Sequence, residues 1–290
     1  MNIGITGASG LIGRRLTDLA LQRGHEVFAF SRTPARRILG CTMRLFSTDA
    51  PPDFESCEAI VHLAGESVLG LWTAAKKQRI AQSRILGTRR VAEAIASMQN
   101  PPEVFISGSA IGFYPDSGDT ELLESAPCGA GFLAQTSRLW EAEALKAAAP
   151  RIVLLRTGLV LAREGGALPL LTRIFRLGLG GKLGSGQQWM AWIHLDDLCR
   201  LFLFCAENQS LSGPVNGTAP WPVRNTDFTK TLASKLRRPA FLSVPAFALR
   251  WLGEFSHELL DSKRVLPGVA SAQGFPFRFP ELPLALSNLL

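Results

Sequence analysis

Three groups of residues in this 290-residue chain carry chemistry by their type and spacing. The first is Thr6-Gly7-Ala8-Ser9-Gly10-Leu11-Ile12-Gly13, in which glycine recurs at every third position. Between a strand and a helix, such a turn brings backbone against a pyrophosphate. Gly7 permits the sharp turn, Gly10 the close approach, and Gly13 the packing of helix on strand. Helix-start N–H groups then face the phosphates with partial positive charge. The G-x-x-G-x-x-G spacing differs from the G-x-G-x-x-G fingerprint, so a tight turn without a ligand is the competing account. The second group is Ser31-Arg32 with Arg36 and Arg37, basic where a site for an unphosphorylated ribose offers Asp or Glu. Guanidinium pairs well with phosphate, so NADP(H) is expected rather than NAD. The third is Ser109 with Tyr114, the single tyrosine of the chain, five residues on. A serine at a strand end can hydrogen-bond a carbonyl, and a phenol of lowered pKa can donate a proton. A turn-closing serine and an amphipathic wall tyrosine are the plainer accounts of the same pair.

The elements that would position these groups follow from periodicity. Asn2–Thr6 reads as a buried strand, and Ile12, Leu16, Leu19 and Ala20 recur at helical spacing after the glycine turn. Arg23-Gly24-His25 ends that helix, and strands are expected at 27–30, within 42–54 (a short one followed by a Pro-containing loop), at 59–65 and at 104–110. The third of these runs ends in Leu63-Ala64-Gly65-Glu66, small enough for a ribose to lie against backbone; His62 on that apolar strand reads as a core residue. Helices are expected over 72–98 and 131–149, then a strand over 152–158. In an open parallel sheet ligands bind outside the carboxyl ends of strands, which puts Ser109 at the cleft with Tyr114 bordering it. From Gly165 to Gly186 a glycine-punctuated segment is expected to fold over substrate as a lid. Arg176 and Lys182 from this segment, with Trp192 and His194 from the stretch after it, would face the substrate. Asn216–Pro220 reads as a late edge strand and turn, Asn225-Thr226-Asp227 as the cap of a helix to Leu236, and 241–260 as a second helical region. The proline-rich 275–280 is expected to be extended.

Bulk properties narrow the classes. The chain is 47% hydrophobic and 19% charged, and Arg156 interrupts its longest apolar run, 151–162, so no membrane span is expected. The first strand starts at once, which leads us to expect a cytoplasmic protein. Five scattered cysteines without C-x-x-C and four unpaired histidines suggest reduced thiols and no metal. The net charge of +7 is spread along the chain, without a basic stripe interleaved with aromatics; anionic small molecules account for it and nucleic acid is not expected.

In this order the motifs resemble the extended short-chain dehydrogenase/reductases, and more narrowly their atypical NAD-dependent epimerase-like subfamily of nucleoside-diphosphate-sugar epimerases. The resemblance runs end to end. It rests on the Thr6–Gly13 turn, His62–Glu66, Ser83-Arg84-Ile85-Leu86-Gly87-Thr88, Ser107-Gly108-Ser109-Ala110-Ile111-Gly112-Phe113-Tyr114, Gly131–Ala134 with Trp140-Glu141, Arg156-Thr157-Gly158, 176–197, and 264–277. It implies a Rossmann-type doubly wound parallel α/β sheet with a smaller, mostly helical C-terminal substrate domain. Residues 1–162, rejoined by 187–222, would bind NADP(H); 163–186 and 223–290 would form the substrate and lid domain. The implied cofactor site takes in Thr6, Gly7, Ser9, Gly10, Leu11, Ile12, Gly13, Ser31, Arg32, Arg36, Leu63, Ala64, Gly65, Glu66, Arg84, Ser107, Gly108, Arg156 and Gly158. The wider family uses a Ser or Thr with a Tyr-x-x-x-Lys pair. Ser109 matches the first, but in register with Glu141 the pair becomes Leu133 and Ser137, and Arg138 lies one residue out of step. Two functions are therefore expected to compete: an NADP(H)-dependent oxidoreductase or epimerase with a rearranged acid at Ser109 and Tyr114, and a non-catalytic NADP-binding regulator or scaffold. The substrate would be a small molecule, and the protein a monomer or homodimer.

Overall fold

The computed structural model describes residues 1–32, 38–46 and 51–290. β1 (Asn2–Thr6) leads into α1 (Leu11–Gln22), β2 (Glu26–Ser31), β3 (Thr42–Leu45), β4 (Ala59–His62), α2 (Ala74–Ala96) and β5 (Val104–Ala110). There follow β6 (Glu121–Leu122), α3 (Phe132–Ala144), β7 (Arg151–Thr157), β8 (Leu159–Leu161), α4 (Leu168–Arg176) and β9 (Gly181–Leu183). Next come β10 (Trp189–Met190), β11 (Trp192–His194), α5 (Leu195–Glu207), β12 (Gly213–Gly217), β13 (Val223–Arg224) and α6 (Asn225–Leu236). The chain ends through β14 (Leu242–Val244), α7 (Ala246–Arg250), α8 (His257–Leu260), β15 (Arg264–Val265), α9 (Gly268–Ala272) and α10 (Leu282–Leu289).

Among the described residues, seven strands form one parallel sheet in the order β12-β7-β5-β4-β1-β2-β3. The chain winds outward from β1 through β2 to β3, then returns to the other side of β1 at β4. That reversal leaves a crevice beyond the carboxyl ends of β1 and β4. The central strands are apolar on both faces because helices cover both. On one side Leu16 and Ala20 of α1 join Leu198 and Phe202 of α5 over Ile3 and Ile5. On the other, Val91 and Ile95 of α2 and Ala144 of α3 lie over Phe30, Ile60 and Phe105. A third core joins Leu168 and Phe175 of α4 to Trp192, to Phe228 and Leu232 of α6, and to Leu282 and Leu286 of α10.

Local chemistry accounts for where elements start and stop. Thr73 caps α2 by accepting from the Lys76 amide at 3.2 Å. Gly24 takes a φ of +80° after α1, as the motif there implies. The helix expected over 131–149 stops at Ala144, and the helical region expected over 241–260 is divided by Pro245 and Gly253 into β14, α7, a short 3-10 turn and α8. Asn225 does not cap α6; it is that helix's first residue, and its Oδ1 accepts from the Leu183 amide at 2.8 Å. Residues 275–280 form neither helix nor strand, and the Arg278 and Phe279 amides are held by the Asp197 carboxylate at 2.8–3.1 Å. No described helix is long and apolar enough to cross a membrane, and no group of three or more described His, Cys, Asp or Glu could hold a metal ion.

Candidate functional site

The glycine turn lies at the crevice. Gly7 has a φ of +71°, and a Cβ there would come within 2.8 Å of the Leu63 carbonyl carbon, so this turn lies directly against the chain leaving β4. At Gly13 a Cβ would collide with the Gly7 oxygen. At Gly10 it would meet only that same oxygen, at 3.2 Å, and otherwise open space. Two of the three glycines are thus demanded by packing, whereas the third keeps a space clear. No side chain caps α1 and no acid sits in its first turn, which leaves the N–H groups of Leu11, Ile12 and Gly13 for an anion.

The β4 side of the crevice is pinned by Thr6. Its Oγ1 accepts from the amides of Leu63 and Ala64 at 3.2 and 3.4 Å and lies 2.6 Å from His62 Nδ1. Having accepted twice, the hydroxyl donates its own proton to Nδ1, so the neutral ring carries its hydrogen on Nε2. Nε2 is buried without a partner, and burial pushes the ring's pKa down to about 4. Beyond Ala64 and Gly65, the Glu66 amide donates to Ser83 Oγ at 2.9 Å. The Glu66 carboxylate pairs with Lys76 at 2.7 Å, and that hydrogen bond, with the charges of Arg79 and Arg32, holds it below the ordinary carboxylate range. Arg32 therefore reaches the same end of the sheet, while Arg36 lies outside the described residues. Arg84 donates to the carbonyls of Glu66 and Ile80, packs on Gly65 and sits 5.2 Å from the Trp140 ring centroid. Burial lowers its pKa to about 10.

Ser109 and Tyr114 are brought into one connected cluster, but not as a pair facing an open cleft. Ser109 Oγ donates to Glu141 Oε1 at 2.6 Å. Arg156 clamps the same carboxylate through Nε and Nη2 at 2.8 and 2.7 Å, and donates through Nη1 to the Tyr114 hydroxyl at 2.9 Å. Tyr114 in turn donates to Asn216 Oδ1 at 2.7 Å, and the Asn216 amide donates to Glu124 Oε1 at 3.0 Å. Ser109 is 4% exposed and Tyr114 1%, and burial raises the phenol's pKa. The expectation that Tyr114 borders the cleft is corrected by this geometry. On α3, Ser137 is buried, Leu133 packs on Gly112, and Arg138 is exposed and bonded to Gln135. Arg156 and Gly158 serve the interior. Arg156 is in the buried clamp, and a Cβ at Gly158 would come 2.7 Å from the Ala191 oxygen. Gly108 packs under Trp140, and Ser107 Oγ turns back to the Gly108 carbonyl at 3.1 Å.

The four expected substrate groups are dispersed. Trp192 is fully buried, its Nε1 donating to the Trp221 carbonyl at 3.1 Å. His194 caps α5, where Nδ1 accepts from the Asp196 amide at 3.0 Å; Nε2 lies 3.1 Å from Asn288 Oδ1 and the ring stacks on Phe279. Both are structural, which corrects their expected substrate role. Lys182 is exposed and meets the Ser185 carbonyl at 3.4 Å. Arg176 ends α4 on a separate cavity. Nor is 165–186 an untethered loop: α4 fills its first half, β9 pairs with β14, and a Cβ at Gly186 would strike Thr226. The residues missed from sequence are Glu141, Asn216 and Glu124. Glu141 carried a faint signal, one helical turn beyond Ser137 and facing the Ser109 strand; the other two carried none.

Residues 3–216 match the NAD dependent epimerase/dehydratase family, and residues 244–289 match a domain of unknown function (DUF1731). The chain is 38% identical over 299 residues to the epimerase family protein YfhF of Bacillus subtilis, covering 100% of this chain and 98% of that one. It is 35% identical over 300 residues to the epimerase family protein SDR39U1 of Bos taurus, covering both in full. The crystal structure of human epimerase family protein SDR39U1 (isoform 2) with NADPH superposes with a TM-score of 0.92 at 33% identity, over 100% of this chain and 99% of that one. A nucleoside-diphosphate sugar epimerase from Corynebacterium glutamicum gives 0.82 at 33%, over 100% of this chain and 58% of the other.

Proposed function

The chain belongs to the NAD dependent epimerase/dehydratase family, and on that premise we propose that it binds NADP(H) across the carboxyl end of the sheet and acts as an oxidoreductase or epimerase on a small molecule, a carbonyl compound or sugar nucleotide. The observation that carries this reading is the space kept clear at Gly10, beside the uncapped first turn of α1. The residues present fit the cofactor. Leu11, Ile12 and Gly13 would give amides to the pyrophosphate, Leu63–Gly65 a flat wall to the ribose, and Arg32 a charge to the 2′-phosphate. Residues 1–162 and 187–222 would hold it, with substrate met by 163–186 and 223–290. When bound, the cofactor supplies or accepts hydride. Ser109 and Tyr114 then act as positioning groups: the Ser109 proton is given to Glu141, and Tyr114 is sealed between Arg156 and Asn216. The substrate proton would pass to and from water. The same commitment of Ser109 favours a second reading, a non-catalytic NADP-binding regulator. Five free cysteines fit a reducing setting such as the cytoplasm.

Gly10→Ala and Gly13→Ala separate binding from folding. Gly13→Ala is expected to destabilise by about 1–3 kcal/mol through overpacking. Gly10→Ala should change stability by less than about 1 kcal/mol yet weaken NADPH binding by about tenfold or more. Thermal unfolding and NADPH fluorescence titration read the two effects, and a Gly10→Ala protein that binds as the parent does overturns the cradle. For the phosphate, calorimetry should find NADPH bound at least about tenfold more tightly than NADH, with Arg32→Ala removing much of that preference. Equal affinities in the parent would reject the NADP(H) reading. Turnover of NADPH with a panel of carbonyl compounds and sugar nucleotides decides between enzyme and regulator: oxidation by any of them favours the enzyme, and a bound cofactor that none oxidises favours the regulator.

A further inference from the structure

A cavity of about 480 Å³ opens between α4 and α10, and neither the glycine turn nor the Ser109 cluster lines it. That volume lies in the range of small-molecule sites. Three arginines line it, Arg163 from the loop after β8 and Arg173 and Arg176 from the last turn of α4, and all three are exposed. Among the described residues none of the three forms an ion pair with a carboxylate; Arg163 donates only to the Asn288 carbonyl, at 2.9 Å. The end of the α4 dipole favours cations at Arg173 and Arg176, but it accounts for neither Arg163 nor the fourth polar group here. That group is Thr172, which lines the same cavity, is 8% exposed, and has a buried hydroxyl with no partner. A buried hydroxyl is ordinarily satisfied, so an acceptor is missing from its surroundings. Leu168, Pro169, Leu177 and Leu289 give the wall apolar side chains, and Leu290, the last residue of the chain, lines it too.

We propose that this cavity binds an organic anion, a phosphate or carboxylate head held by Arg163, Arg173 and Arg176 with Thr172, and a short hydrocarbon body over Leu168 and Leu289. The Gly165–Gly166 loop leading from Arg163 into α4 rests on Leu11, the first residue of α1, so an occupant here would sit one contact away from the cofactor turn. The site nevertheless stands independently of the cofactor reading. Calorimetry on NADPH-saturated protein, in which the glycine turn is filled, tests it with hexyl phosphate, hexanoate and inorganic phosphate. One saturable site is expected, with hexyl phosphate or hexanoate binding at least about tenfold more tightly than inorganic phosphate; whichever binds better identifies the head. Arg173→Ala and Arg176→Ala should each weaken the better probe by about tenfold, and Thr172→Val should weaken it while leaving NADPH affinity unchanged. Should NADPH itself not bind, the same titration on the free protein keeps the cavity testable, because those variants lie away from the turn. No saturable heat from any probe, equal affinity for hexyl and inorganic phosphate, or unchanged affinity in the Arg173→Ala/Arg176→Ala double variant overturns the proposal.

Discussion

Arg156→Ala is expected to lower the unfolding free energy by about 3–5 kcal/mol, among the largest single losses this fold can show. The reason is what the substitution leaves behind. Glu141 and Arg156 are 7% and 5% exposed and bonded through two parallel N–H···O contacts, so removing the guanidinium strands a carboxylate with only the Ser109 hydroxyl beside it. Burial works against the Arg156 charge, but its hydrogen bonds to Glu141 more than offset this and hold its pKa above the ordinary value. The cation also lies 3.6 Å from the Phe113 ring centroid and donates to Tyr114 and to the Glu124 carbonyl, so its loss loosens the end of β5 and the loop after it together. Replacing both charges, as in Glu141→Leu/Arg156→Met, should be less damaging than Arg156→Ala because no buried charge remains. Urea unfolding of the two variants measures the contrast. An Arg156→Ala protein within about 1 kcal/mol of the parent would mean that water reaches the clamp and that it does not hold the site.

The parts of the fold that were legible in the sequence are those decided by neighbours along the chain. β1, its glycine turn and α1 could be placed because backbone sterics restrict that turn to glycine and because Leu16 and Ala20 repeat with the helix. β5 was likewise readable from Val104 to Ala110 as an apolar run into small polar residues. What could not be read depends on distant partners. Whether Tyr114 faces solvent or core is settled by Asn216, 102 residues away, and by Arg156. His194 looked like a substrate ligand by type and position; its role as a cap becomes evident only when Asn288 arrives 94 residues later and Phe279 covers the ring. α10 escaped because Pro283 interrupts a short apolar stretch, though proline is well tolerated in a first helical turn and the third core supplies the surface that stabilises it. The candidate cofactor crevice was therefore largely readable and the candidate catalytic pair was not, since proton transfer depends on exposure and exposure depends on tertiary contacts.

His62 makes the crevice acid-sensitive. In the unfolded chain the ring titrates near 6.5, whereas burial holds it at about 4 in the native state. Between those values the unfolded chain binds the extra proton and the folded one does not, so stability is fully present above about pH 6.5 and declines as the pH falls toward 4. The two values together correspond to about 3 kcal/mol lost across that interval. His194, also lowered by burial, acts in the same direction. Glu143 does not confuse the window: the Arg89 hydrogen bond, with that of Lys146, holds it down to about 2, so its contribution is lost only as the pH falls below 4.5. Protonating His62 would add a hydrogen at Nδ1, where the Thr6 hydroxyl already donates, and turning that hydroxyl round would disturb the Leu63 and Ala64 amides it accepts. Acid therefore acts first on the wall against which the ribose is proposed to lie. His62→Asn keeps an acceptor near the Nδ1 position and removes the titration, so it should be less stable than the parent at pH 7 yet show a much flatter stability profile from pH 6.5 to 4.5. Urea unfolding at several pH values across that range gives the slopes, and a variant as steep as the parent would show that some other group carries the acid response.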